Sequence, residues 1–361
     1  MDEEPGSFEP HMRWLSATWQ PVDAALFCPV AVASAEQRIA LFARRENGEL
    51  VYHRWQDGGW AEPRSLGVPV ARSRAGSASI AVDWQLAGCS SDEGLVHLFG
   101  RSPDGEIVHL QFAENKTAVF ECLGAPADRR WGITVPLGVA ASPAVCGGAT
   151  GGLDLFVVGY DGELLHASHR DGIWTDFVPL GMPVWRKTAI ETRVPLAGPL
   201  TACSCGYDRF AVFTRGAAGD LLIKWRDGKS WTDFVSLGSY EVPDPNYPVV
   251  NLTTPLTGSP AACSWGPRRL DVFVRGAAGQ ILHRRWEDKE WSDFHSLGMP
   301  LGTDRAPLPF TGTIAACSWG AERLDVFARA LDGRLYHAWF DGCWEHGDQE
   351  LKKEVATIQE L

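Results

Sequence analysis

The sequence predicts an all-β chain, a six-bladed β-propeller of four-stranded antiparallel blades with long loops over one mouth of an axial pocket. Three observations carry this. One phrase, clearest as LDVFVRGAAGQILHRRWEDKEWSDFHSLG at 270–298, is written six times along the chain. Its apolar runs are short, rich in β-branched and aromatic residues, and separated by Gly, Asp and Asn turns. No stretch keeps a helical period apart from the last ten residues.

The copies align on a phenylalanine at Phe42, Phe99, Phe156, Phe213, Phe273 and Phe327, at intervals of 57, 57, 57, 60 and 54 residues. Ten residues earlier stand Cys89, Cys146, Cys203, Cys263 and Cys317, with Val32 in the first copy. This is the first strand, AACSW in the fifth copy. The second strand holds the phenylalanine and, two residues on, Arg44, Arg101, Arg215, Arg275 or Arg329, with Val158 as the exception. A turn follows with an unvarying glycine: Gly48, Gly105, Gly162, Gly219, Gly279 and Gly333. The third strand carries His109, His166, His283 and His337, replaced by Tyr52 and Ile223 in two copies. The fourth opens on Trp60, Trp174, Trp231, Trp291 or Trp344, missing in the second copy, and closes on Leu-Gly in the first five. Small twisted sheets of this length bury both faces when packed radially, which puts Trp and Phe between blades and small residues at the axis.

The blades are placed at about 26–67, 86–124, 143–181, 200–238, 260–298 and 314–351, after a lead segment 1–25 and before a tail 352–361. How the ring closes is left open, with packing of the lead segment on the last blade as one route.

Composition narrows the function classes. The 361 residues are 45% hydrophobic and 22% charged, enough for a packed core. A net charge of −12 argues against nucleic acid or anionic membrane as partner. The start MDEEPGSFEP has no secretory pattern, and no run reaches the ~18 apolar residues of a membrane span, so a cytoplasmic location is expected. Nine cysteines without a CxxC pair, five of them at one repeat position, read as buried free thiols.

The fixed histidines fall in different blades and are read as structural rather than as one metal site, and the repeat arginines as partners of turn carboxylates such as Glu49, Glu106 and Glu163. The fourth-strand tryptophans are read as packing residues. No GxSxG, Walker, Rossmann or HExxH pattern occurs, and neither cofactor nor metal is expected.

Diversity is confined to the links between blades, which span 22, 22, 22, 25 and 19 residues from the closing glycine to the next cysteine position. Long loops on a rigid scaffold are where function concentrates. Here lie tryptophans outside the repeat, Trp84, Trp131 and Trp185, with Arg130, Lys187, Arg193 and Tyr247. An aromatic mouth with a few cations suits a small hydrophobic ligand carrying carbonyl or acidic oxygens.

The 270–298 phrase resembles the repeat of the fucose-specific lectin-like propellers of bacteria and fungi, over residues 26–351. That resemblance implies carbohydrate, a fucosylated glycan, bound between blades. The long, unlike links look like a smaller branch of the fold, the fungal hetero-Diels–Alderases of tropolone–sesquiterpenoid biosynthesis. That second resemblance implies a cofactor-independent cycloaddition between a tropolone o-quinone methide and a humulene-type alkene. The expected site is the propeller mouth. Lys187, Arg193 or Arg130 would donate to the developing oxyanion. Trp84, Trp131, Trp185, Tyr247 and Phe310 would stack on the substrates, with Asn251 beside them. Asp83 or Gln85 would hold a hydroxyl or assist dehydration. The cycloaddition is the leading expectation and the lectin the alternative.

Overall fold

In a computed structural model the chain is a ring of six antiparallel sheets. The structure describes residues 19–340 except 25, 35–37, 57–58, 73–78, 84, 92–94, 113–116, 129–134, 148–150, 188–189, 207, 229, 245–246 and 248–250.

Blade five illustrates the repeat. Its inner strand Thr257–Gly266 pairs with Arg269–Arg275, which pairs with Ile281–Glu287. The fourth strand is split into Glu290–Trp291 and His295–Ser296, both on the third strand. The split has a local cause. Ser292 donates its amide to the Arg285 carbonyl while its hydroxyl accepts from the Arg285 amide. Thr175 and Thr232 do the same on Ser168 and Trp225. The side-chain oxygen replaces a ladder carbonyl, so the chain bulges without leaving the strand-three amide unpaired.

The six anchor phenylalanines are all buried, and burying each is worth about 1.5–3 kcal/mol. In blades one, three, four and five the fourth-strand tryptophan stands edge-on to the anchor of the blade before in the ring. Trp60 meets Phe327 at 5.6 Å, Trp174 meets Phe99 at 5.9 Å, Trp231 meets Phe156 at 5.6 Å and Trp291 meets Phe213 at 6.1 Å. These tilted aromatic pairs bind blade to blade. In the second copy, which lacks the tryptophan, Phe112 takes over and meets Phe42 edge-on at 4.9 Å.

The links dock on the preceding blade through one backbone bond. The amides of Val139, Leu196, Leu256 and Phe310 donate to the carbonyls of Gly105, Gly162, Gly219 and Gly279. Three of these glycines lie under a link proline: a Cβ on Gly162, Gly219 or Gly279 would come within 2.4, 2.7 or 2.6 Å of Pro195, Pro255 or Pro309. All have φ near +80° to +88°. The turn thus needs glycine both for its backbone angle and for the close approach of the next blade.

The ring closes through the N-terminal segment. Gln20–Ala24 pairs antiparallel with Arg334–Phe340 as the outer strand of blade six. Gln20 faces His337 as Val235 faces Ile223 and His295 faces His283. Trp19 therefore occupies the register place of Phe234 and Phe294. It is buried in the cluster that holds Phe273, and its indole N–H donates to the Leu297 carbonyl at 3.1 Å. The sequence placed a fourth strand at Trp344, which lies outside the described residues, as do 1–18 and the tail.

No helix in the described residues is long and apolar enough to cross a membrane.

Candidate functional site

The axial hole is small. Its wall is contributed by all six inner strands, with Gln85, Thr201, Ser259 and Thr313 among alanines and prolines, and its volume is about 100 Å³. That is room for a few waters, below the ~300–1,000 Å³ of ordinary ligand pockets. This part of the axis is too small to seat a tropolone and a sesquiterpene together.

Among the described residues, several of those expected at the mouth have other partners or stand exposed. Phe310 is buried against Trp19 at 4.6 Å between ring centres. It is the link residue that docks on Gly279, equivalent to Leu196 and Leu256, and so belongs to the core rather than to a substrate surface. Asp83 is committed to Arg101 at 2.6 Å. Arg44 donates to the carbonyls of Val82 and Asp83 beside it. Arg44, Arg101 and Arg275 thus hold the incoming link. Arg101 also bonds the Val139 carbonyl, and Arg275 the Thr257 hydroxyl and the Gly312 carbonyl.

The expected loops are hairpins. Val184–Lys187 pairs with Ile190–Arg193, and Tyr240–Pro243 with Asn251–Thr254. Trp185 and Tyr247 are exposed, at 59% and 66%, and Arg193 is exposed as well. Asn251 is exposed and donates to Glu241. Lys187 is placed by its backbone only, opposite Ile190. The first link also reaches the outer edge of blade two, where its strand Val70–Arg72 runs parallel to Val119–Gly124. Gln85 lines the axial hole. Trp84, Arg130 and Trp131 lie outside the described residues.

The repeat histidines form buried ion-pair sets. His166 bonds Asp154 at 2.8 Å, His283 bonds Asp271 at 2.7 Å and His337 bonds Asp325 at 2.8 Å. Arg170, Arg269 and Arg323 complete each set on the same carboxylate. Burial disfavours the Asp271 anion, but the bonds from His283 and Arg269 outweigh it and hold its pKa below the usual carboxylate range. Burial pushes His283 and His337 down. His283 and Asp271 are both fully buried, so this is internal scaffolding without access for a substrate. The second copy departs from the rule: His97 stands where the aspartates stand and meets His109 at 3.0 Å. Burial, then the neighbouring His97 and His169, push the His109 pKa down to about 3. Cys89, Cys146, Cys203, Cys263 and Cys317 are buried free thiols whose pKa values burial raises.

A cavity of ligand size lies between blades two and three, with a volume of about 630 Å³. Blade two contributes Ile107, Cys122 and Leu123, and blade three contributes Leu155, Leu165 and Ala167. The fourth-strand segment of blade three closes it with Trp174, Thr175, Asp176 and Phe177, and Glu163 stands at the start of the third strand. Trp174 is held edge-on by Phe99 and tilted against His169 at 5.0 Å. The lining is apolar and aromatic with two carboxylates and a hydroxyl, and its described part holds no Lys, Arg or His. The sequence reading had assigned Trp174 to packing and Glu163 to an arginine.

The fold defines the class: this is a six-bladed β-propeller of the kind found in fucose-binding lectins. The fucose lectin of Aleuria aurantia, solved as a six-bladed β-propeller, superposes with a TM-score of 0.57 at 13% identity, covering 87% of this chain and 93% of the lectin. AofleA from Arthrobotrys oligospora superposes at 0.57 and 12% identity, covering 90% and 86%. The SapL1 lectin, solved with α-methyl fucoside, gives 0.55 and 12% identity, covering 85% and 89%. No family model matches the sequence, and no curated protein matches it.

Proposed function

We propose that the chain is a carbohydrate-binding propeller and that its sugar site is the cavity between blades two and three. The observation that supports this most is the lining itself. A pyranose has an apolar face that packs on an aromatic ring and hydroxyl edges that donate to carboxylates. Trp174 and Phe177 supply the rings, and Glu163, Asp176 and Thr175 the polar edge, in a volume that suits one or two sugar units. Solved propellers of this shape include proteins named as fucose lectins, which makes a deoxyhexose the first sugar to test. The experiment is a glycan array with the purified chain. Retention of fucosylated glycans, lost on Trp174→Ala, supports the reading, and a blank array overturns it.

A second reading, the hetero-Diels–Alder cycloaddition, is supported by the apolar share of the same wall, which Ile107, Leu123, Leu137, Leu155 and Leu165 form. Holding two reactants in a near-attack pose is itself catalytic. In that reading the cavity orients a tropolone quinone methide against a humulene-type alkene. Incubation with a quinone-methide precursor and humulenol tests it: product formed no faster than without protein removes it.

A further inference from the structure

The second blade is forked. Its third and fourth strands, Ile107–Phe112 and Val119–Gly124, pair only from Ile107 to His109, against Gly124, Cys122 and Glu121. In blades one, three, four and five the far half of the third strand is closed by the short tryptophan segment: Gly59–Trp60, Ile173–Trp174, Ser230–Trp231 and Glu290–Trp291. Blade two has Thr117 at the tryptophan position, eighteen residues after Phe99, and Ala118 where blades three, four and five have Thr175, Thr232 and Ser292. Those hydroxyl residues bind the fourth strand to Ser168, Trp225 and Arg285. Ala118 has no hydroxyl, and its amide donates to the Leu66 carbonyl of blade one at 3.2 Å. On the outer side the link strand Val70–Arg72 pairs in parallel with residues 119–121. The fourth strand is thus tied away from the third, and a cavity of about 530 Å³ lies in the fork.

Its wall has two parts. Leu110 and Phe112 are buried and form, with Val119, an apolar floor. Arg72, Gln111, Thr117 and Glu121 are exposed and form a polar rim. Arg72 and Glu121 are direct neighbours in register, on strands about 4.8 Å apart, and no ion pair joins them among the described residues. Gln111 faces His97 as Ser168 faces Asp154 and Arg285 faces Asp271. At that register Ser168 and Arg285 turn amide and carbonyl toward the fourth strand. Gln111 therefore presents a backbone donor and a backbone acceptor to the cavity.

We propose that the fork in blade two is a ligand site separate from the cavity beside Trp174, and that it takes a free α-amino acid with an apolar side chain. An α-amino acid carries a carboxylate and an ammonium on one carbon, so its site needs a cation and an anion side by side. The register of Arg72 and Glu121 supplies them. The guanidinium takes the carboxylate through two parallel bonds, and the Glu121 carboxylate takes the ammonium. The apolar side chain lies on Leu110 and Phe112. His109 lines the same cavity but adds no positive charge at neutral pH, because burial and the neighbouring His97 push its pKa down to about 3. An acid or an amine alone would leave one of the two rim charges unmatched.

Calorimetric titration of the purified chain with L-phenylalanine tests this. Saturable binding is expected, at least tenfold tighter than that of 3-phenylpropanoate, which lacks the ammonium, and of 2-phenylethylamine, which lacks the carboxylate. Arg72→Gln and Glu121→Gln, both at exposed positions, are each expected to weaken L-phenylalanine at least tenfold with the melting temperature kept. Thr117→Trp restores the tryptophan of the other copies and is expected to fill the fork and remove binding; should it fail to fold, the two exposed variants decide. Excess methyl α-L-fucoside is expected to leave L-phenylalanine binding unchanged. No saturable binding of L-phenylalanine, or equal binding by the wild type and both exposed variants, overturns the site. Equal binding of the three compounds overturns the ligand class, and displacement by the fucoside puts the amino acid in the sugar cavity and overturns the fork. Binding of L-phenylalanine without any binding of the fucoside upholds the fork and removes the carbohydrate reading.

Discussion

Gly219 and Gly238 have nearly the same backbone angle, φ +79° and +80°, but different surroundings. A Cβ on Gly238 meets nothing within 4 Å, whereas one on Gly219 meets Pro255 at 2.7 Å. Gly238→Ala is expected to cost about 1–2 kcal/mol, the left-handed penalty alone. Gly219→Ala is expected to cost about 2 kcal/mol more, because the link to blade five must move. Urea denaturation of the pair checks this, and equal losses would show that the turn glycine serves its angle only. The residue scale is also where the sequence was most and least readable. The unvarying glycine could be seen from the repeat, but its partner proline could not, since it belongs to the next blade. Phe310 looked like a mouth aromatic because its link is long, yet the phrase LPFTG occupies the place of TPLTG, and that place is core.

At the scale of the element, the second blade departs from the others in its polar pair. In blades three, five and six an aspartate bonds the strand-three histidine, whereas His97 meets His109 here. The folded His109 pKa is about 3, against about 6.5 unfolded. Between those values the unfolded chain binds more protons, so this histidine makes stability rise with pH up to about 6.5 and adds no further dependence above it. His97→Asp rebuilds the pair of the other blades and raises the His109 pKa. The melting temperature of the variant is therefore expected to fall less than that of the wild type between pH 7 and pH 4.5. Parallel melting curves across that range would contradict the assignment. The sequence showed the histidine column but not its partners, because Asp and His lie on neighbouring strands and meet only once the register is set.

For the whole molecule, six copies, their order and their radial packing were legible, since each follows from a repeat length and an aromatic column. Ring closure was legible only as one open route, the lead segment on the last blade, because the closing strand is not a copy of the phrase. Gln20–Ala24 lacks the tryptophan and the Leu-Gly of the other fourth strands, and only its register on Arg334–Phe340 identifies it. Trp19→Ala is expected to cost about 3–5 kcal/mol, the loss of a buried aromatic. Trp19→Phe keeps the packing that Phe234 and Phe294 provide elsewhere, and is expected to cost about 1 kcal/mol for the lost Leu297 bond. Thermal unfolding of the two variants checks the closure; equal, small shifts would mean that the lead strand does not hold the ring. The site was the least legible feature, because the cavity is assembled from two blades and the link between them, which meet only once the ring is packed.

The central claim is that the cavity beside Trp174 binds sugar. It is tested most directly by calorimetric titration of methyl α-L-fucoside into the wild type and Trp174→Ala. The expected result is saturable binding in the wild type, weakened at least tenfold (about 1.4 kcal/mol) in the variant with its fold intact. Absence of saturable binding in the wild type, or equal binding in both, would contradict it.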